Sequence, residues 1–105
     1  MSDAVSRRSE VVARLVSAQS SIRALGVRRL ALFGSFVRDE ARGDSDVDVL
    51  VEFEPGRKNF DAWLDLGELL ELLLGRHVDL VSIDGLSPFI GPHILAEAVD
   101  VVRAA

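Results

Sequence analysis

Asp46 and Asp48 stand two residues apart at the head of an otherwise apolar run, DVDVLVEF. In an extended strand, side chains alternate between faces, so both carboxylates share one face while Val47, Val49 and Val51 take the other. Two carboxylates this close repel by roughly 2–3 kcal/mol at an effective dielectric near 20. A fold lifts that cost in one of two ways. Water solvates both groups at a strand edge, or a divalent cation sits between them. Ligation by carboxylate oxygen alone selects a hard ion, Mg²⁺ or Mn²⁺.

Upstream, Gly34 and Ser35 directly follow the apolar run VRRLALF. A glycine at a strand end lets the backbone approach a ligand closely. Amides leading into a helix start form an anion site, and the Ser35 hydroxyl adds a donor. Magnesium seldom takes its whole shell from protein, so phosphate oxygens and carboxylates complete it together. A phosphate cradle followed about ten residues later by a carboxylate pair therefore points to phosphoryl or nucleotidyl transfer. A third carboxylate would complete a two-metal site. Asp79, inside RHVDLV, is the candidate, provided its strand neighbours that of Asp48. A carboxylate there can also accept the proton of an attacking hydroxyl.

The elements that must position these groups follow from periodicity. Residues 4–25 predict one amphipathic helix, with Val5, Val12, Leu15, Val16, Ile22 and Leu25 near helical spacing and Gly26 at its end. Residues 27–33 predict a buried strand, and FVRDEA a turn or so of helix. ARGDSD is a polar loop, where Asp44 reads as a turn former, and residues 47–53 predict the second strand. After the loop EPGRKN comes the strongest helix, 60–75, with apolar positions 60, 63, 64, 66, 69, 70, 73 and 74. Core packing is the expectation for Phe60 and Trp63, although Phe60 at the helix start also suits base stacking. Residues 76–83 predict a third strand, and 88–98 a last helix with Pro88 near its first turn. Residues 99–105 read as a short final strand or a frayed end. The sum is an α/β or α+β fold with a sheet of at least three strands.

At 105 residues the chain is expected to form a single domain, 1–105. Its 49% apolar content is that of a globular protein rather than a disordered one. The run LGELLELLLG is broken by Glu68 and Glu71 and is too short for a membrane span, and MSDAVSRRSE has no apolar signal core. With no cysteine there is neither a disulfide framework nor a thiolate metal site, and a cytoplasmic location is expected. A net charge of −5 argues against non-specific nucleic-acid binding, which rests on Lys and Arg. Positive charge nevertheless clusters near the Gly-Ser turn, at Arg23, Arg28, Arg29, Arg38 and Arg42, and suits a nucleotide. Arg28 and Arg29 otherwise read as a solvated strand end, and His77 and His93 as surface residues.

The arrangement LFGSFVRDEARGDSDVDVLVEF with RHVDLV resembles the nucleotidyltransferase superfamily that includes DNA polymerase β, and most of all its small stand-alone members, the minimal nucleotidyltransferases or MntA-like antitoxins. Gly-Ser alone and Asp-x-Asp alone are weak signals, but their joint spacing with a third aspartate is strong. The GSxxR form with Arg38 and the DSD-x-D form with Ser45 also fit the small members. The resemblance implies a small mixed sheet with helices packed on it, Mg²⁺ (two ions, with Mn²⁺ as a substitute) and ATP as substrate. It implies a HEPN-domain toxin as partner, inactivated by transfer of AMP to a tyrosine hydroxyl. Gly34 and Ser35 would bind the triphosphate, with Arg38 and Ser45 beside them. Asp46, Asp48 and Asp79 would hold metal, and Asp79 would act as base. Two other classes of function stay open. One is a binding-only module that neutralises its partner by contact. The other is a transferase acting on an RNA end, which the acidic balance weighs against, or on a small molecule, which at this length would need a homodimer to build its pocket.

Overall fold

A computed structural model describes residues 4–103. Four strands form one mixed sheet: β1 (Val27–Phe33), β2 (Val47–Phe53), β3 (Val78–Ser82) and β4 (Val99–Arg103). Their spatial order is β3-β2-β1-β4. β1 lies antiparallel to both β2 and β4, whereas β2 and β3 are parallel. A parallel pair cannot be joined by a tight turn, and the connection here is the helix α3 (Phe60–Leu74).

The strand predictions at 27–33 and 47–53 match β1 and β2 residue for residue. The third strand is shorter than 76–83, because Arg76 leaves the ladder. Its guanidinium instead reaches the carbonyls of Arg42 and Gly43, at 3.0 and 2.9 Å. Residues 99–103 do form a strand, and the last two residues of that segment lie outside the described residues.

Two helix predictions are corrected. The single helix over 4–25 is two helices, α1 (Arg8–Ser17) and α2 (Gln19–Ala24), broken at Ala18, whose φ of −102° and ψ of 13° leave the helical basin. Residues 4–7 are not helical. Val5 is instead buried, and its N–H donates to the Leu74 carbonyl at 2.9 Å. The last helix, α4, runs Gly91–Glu97 rather than 88–98, and the proline in its first turn is Pro92 rather than Pro88. The Gly34-Ser35 segment forms a 3-10 turn, Gly34–Phe36.

α3 is well bounded. The Asn59 side chain accepts the Ala62 N–H at 2.8 Å, and Gly75 ends the helix in the left-handed region at φ 68°. Its buried face is Leu66, Leu70 and Leu74, with Trp63, Leu69 and Leu73 partly covered. Phe60 does not join the core and stands 74% exposed at the first position of α3. One apolar cluster binds α1, α2 and α3 to one face of the sheet, through Val47, Val49 and Val51 of β2 and Leu30 and Leu32 of β1. By strand alternation, the other face carries Asp48 and Asp79.

Candidate active site

The site begins with backbone register. Asp48 of β2 pairs directly with Asp79 of β3 across the parallel ladder, and with Phe33 of β1 on its other side. Residues opposite one another in neighbouring strands put their side chains on the same face. The third strand thus brings Asp79 beside Asp48, as the two-carboxylate argument requires. Asp46 sits just before β2, exposed, with its Oδ1 3.4 Å from Nδ1 of His77. The Val47 N–H donates to the His77 carbonyl at 3.0 Å, which fixes that crossing. His77 is a surface residue, as expected, but it also touches the carboxylate cluster.

Gly34 closes the site from the β1 side. Its φ is +78°, and a Cβ placed on it would lie 2.1 Å from Oδ2 of Asp48. Only glycine permits both the left-handed backbone and that approach. The turn therefore lies against the Asp48 carboxylate, and Ser35 follows directly. Among the described residues no hydrogen bond occupies the Ser35 hydroxyl. The Ser45 hydroxyl, in contrast, accepts the Arg42 N–H at 2.8 Å and closes the loop before Asp46.

The electrostatics record crowding. Asp48 is half-buried, and its pKa is raised to about 6, first by burial and then by the charges of Asp79, Asp46 and Glu97, against an opposing pull from Arg38. Among the described residues, no three His, Cys, Asp or Glu side chains close on one point tightly enough to enclose an ion. The donor set still fits a hard cation whose remaining ligands come from phosphate. It is made of carboxylate oxygens alone, it is repulsive when empty of positive charge, and it abuts a backbone turn with a free hydroxyl.

Glu97, which the sequence reading passed over, belongs here. It accepts the Gly34 N–H through Oε1 and the Arg38 guanidinium through Oε2, the latter at 2.8 Å. Arg38 also donates to Glu40 at 2.7 Å. Arg29 is corrected too. It is not a merely solvated strand end but pairs with Asp100 of β4 at 2.6 Å.

The nucleotidyltransferase domain family matches residues 12–101, which hold every residue of this site. This chain belongs to the nucleotidyltransferase family. Nucleotidyltransferases near it in sequence include the protein adenylyltransferase MntA of Thermococcus cleftensis, 49% identical over 76 residues that span 70% of this chain and 74% of the relative. A solved structure assigned as a minimal nucleotidyltransferase superposes with a TM-score of 0.69 at 38% identity, covering 84% of this chain and 93% of the other. The fold is shared with the MNT antitoxin complex of a tri-AMPylated Shewanella oneidensis HEPN toxin. The TM-score there is 0.56 at 19% identity, over 84% of this chain and 71% of that one.

Proposed function

We propose that this nucleotidyltransferase moves AMP from ATP to a tyrosine hydroxyl of a HEPN-domain toxin, and so acts as the antitoxin of a toxin–antitoxin pair. The observation that carries the reading is the alignment of Asp48 with Asp79 across β2 and β3, with the Gly34-Ser35 turn packed on Asp48. The name of the Thermococcus relative and the AMPylated toxin in the Shewanella complex support the choice of acceptor.

In this reading Gly34 and Ser35 take the triphosphate, with Arg38 near it. Asp46, Asp48 and Asp79 hold Mg²⁺, with Mn²⁺ as a substitute. Bound there, the cation neutralises charge on the triphosphate and lowers the cost of the attacking oxygen's charge. The tyrosine oxygen bonds to the α-phosphorus as the bond to the pyrophosphate oxygen breaks. The tyrosine proton passes to a site carboxylate, and Asp79, exposed on the edge strand, is the one assigned that role. Ser45 acts through the loop, holding Asp46 in place. One domain suffices for this chemistry because the acceptor brings its own surface. Among the described residues no helix is long and apolar enough to cross a membrane, in keeping with a cytoplasmic reaction.

The test uses ATP labelled at the α-phosphate, Mg²⁺ and host lysate, with the Asp48→Asn variant alongside. A labelled protein that appears only with the native chain supports the reading, and mass spectrometry should place the AMP on a tyrosine. Label entering RNA or a small molecule would overturn the acceptor. An unlabelled partner captured equally by both chains would replace catalysis with a binding-only role.

A further inference from the structure

Glu97 ends α4 in a setting that electrostatics disfavours twice. A helix C-terminus repels negative charge, and the neighbouring Asp48 repels it again. An exposed glutamate would ordinarily turn to water. Glu97 instead spends both oxygens on the site, one on the Gly34 N–H and one on Arg38, with its side chain only 31% exposed. These three residues come from three places in the chain: the end of α4, the turn after β1 and the segment after that turn. The turn itself is closed by Val37 N–H on the Gly34 carbonyl at 3.1 Å and Glu40 N–H on the Ser35 carbonyl at 2.9 Å. Glu97 fastens that closed unit to the segment leading into β4, the strand that pairs with β1.

We infer that Glu97 is a positioning residue for the triphosphate, clamping the Gly34-Ser35 turn and Arg38 into one anion-binding unit; the inference rests on the proposed nucleotide site. An arginine has five N–H donors, and Arg38 spends one on Glu40 and one on Glu97. The remaining three, with the unoccupied Ser35 hydroxyl, stay available to phosphate oxygens. In this role Glu97 holds the Gly34 N–H and Arg38 rather than the nucleotide itself. It acts by holding the donors still, which spares the nucleotide the entropy of ordering them.

The experiment compares the native chain with Glu97→Ala and Glu97→Gln, titrating the non-hydrolysable analogue AMP-PNP with Mg²⁺ by calorimetry. Loss of a charge-assisted clamp should weaken binding about tenfold in Glu97→Ala. Glu97→Gln, which keeps an acceptor for the Gly34 N–H but loses the ionic hold on Arg38, should fall between. A merely structural role would lower the melting temperature but leave the affinity of the folded fraction unchanged, and that result would overturn the inference. Tighter binding by either variant would overturn it as well, since Glu97 would then be a competitor for the cradle. A second measurement needs no nucleotide. Hydrogen exchange at the Gly34 amide and the mobility of the Arg38 Nη1 group, the guanidinium nitrogen that Glu97 holds, both read by NMR, should rise in Glu97→Ala. If neither changes, the clamp is wrong whatever the calorimetry shows. If both rise while the native chain binds no AMP-PNP, the clamp stands as a structural device, its role toward triphosphate is overturned, and the proposed function fails separately.

Discussion

Asp48 is a half-buried carboxylate crowded by like charges, and its behaviour with pH has a definite sign. Its folded pKa of about 6 stands above the ordinary carboxylate value of 3.8. Between those values the folded chain holds a proton that the unfolded chain has lost, so stability declines as pH rises from about 4 to about 6. Asp48→Asn removes that cost. The gain at pH 7.5 should be on the order of 1 kcal/mol, discounted for a group still half in water, and should vanish near pH 4. Thermal melts at the two pH values check it, and loss of the proposed AMP transfer in the same variant would separate stability from activity. Cation binding needs the ionised form, so Mg²⁺ affinity should fall below about pH 6. Asp46 and Asp48 were legible in the sequence as a same-face pair because strand alternation and short spacing are local signals. Glu97 was not. It lies 59 residues from Arg38, and a single acid near the end of a helix has no spacing that announces a partner.

Turns and caps hold these residues in place, and they make separate predictions. Gly34→Ala puts a methyl group into the Asp48 carboxylate at a backbone angle that L-residues resist. The expected loss is at least about 2 kcal/mol, read from denaturant midpoints, together with a displaced Asp48 side chain in a crystal structure. Asn59→Ala removes the cap of α3 and should cost about 1 kcal/mol without touching the site. The glycine punctuation and the 60–74 stripe were readable, since both depend on nearest neighbours. The break at Ala18 was not, because the apolar spacing of 4–25 continues across it. The late start of α1, at Arg8 rather than residue 4, is tertiary in origin. Val5 is taken by the Leu74 carbonyl, and the first turn of α1 is tied at its start to Asp39, whose carboxylate accepts the Arg8 N–H at 2.7 Å. Phe60 misled for a related reason. Its place on the helical stripe is right, but at the first residue of α3 it stays outside the buried face formed by Leu66, Leu70 and Leu74.

Across the whole molecule, stability rests on one apolar cluster beneath the sheet, while the charged groups occupy the opposite face. Leu70, wholly buried in α3, is a fair probe of that division. Leu70→Ala should cost about 2–5 kcal/mol in equilibrium unfolding while leaving nucleotide affinity of the folded chain unchanged. Strand order was the part of the architecture least open to sequence reasoning. Alternation tells which residues share a face but not which strands are neighbours, so Asp79 could be named only conditionally. The β2–β3 pairing that satisfies the condition is parallel and is closed by α3. That connection has a consequence for how the protein is made. Asp48 emerges from the ribosome well before Asp79, and the two strands can pair only after the intervening helix has folded back. The carboxylate pair therefore cannot exist until β3 has been made and paired, and a nascent chain stopped before β3 carries the Gly-Ser and Asp-x-Asp motif without the full site.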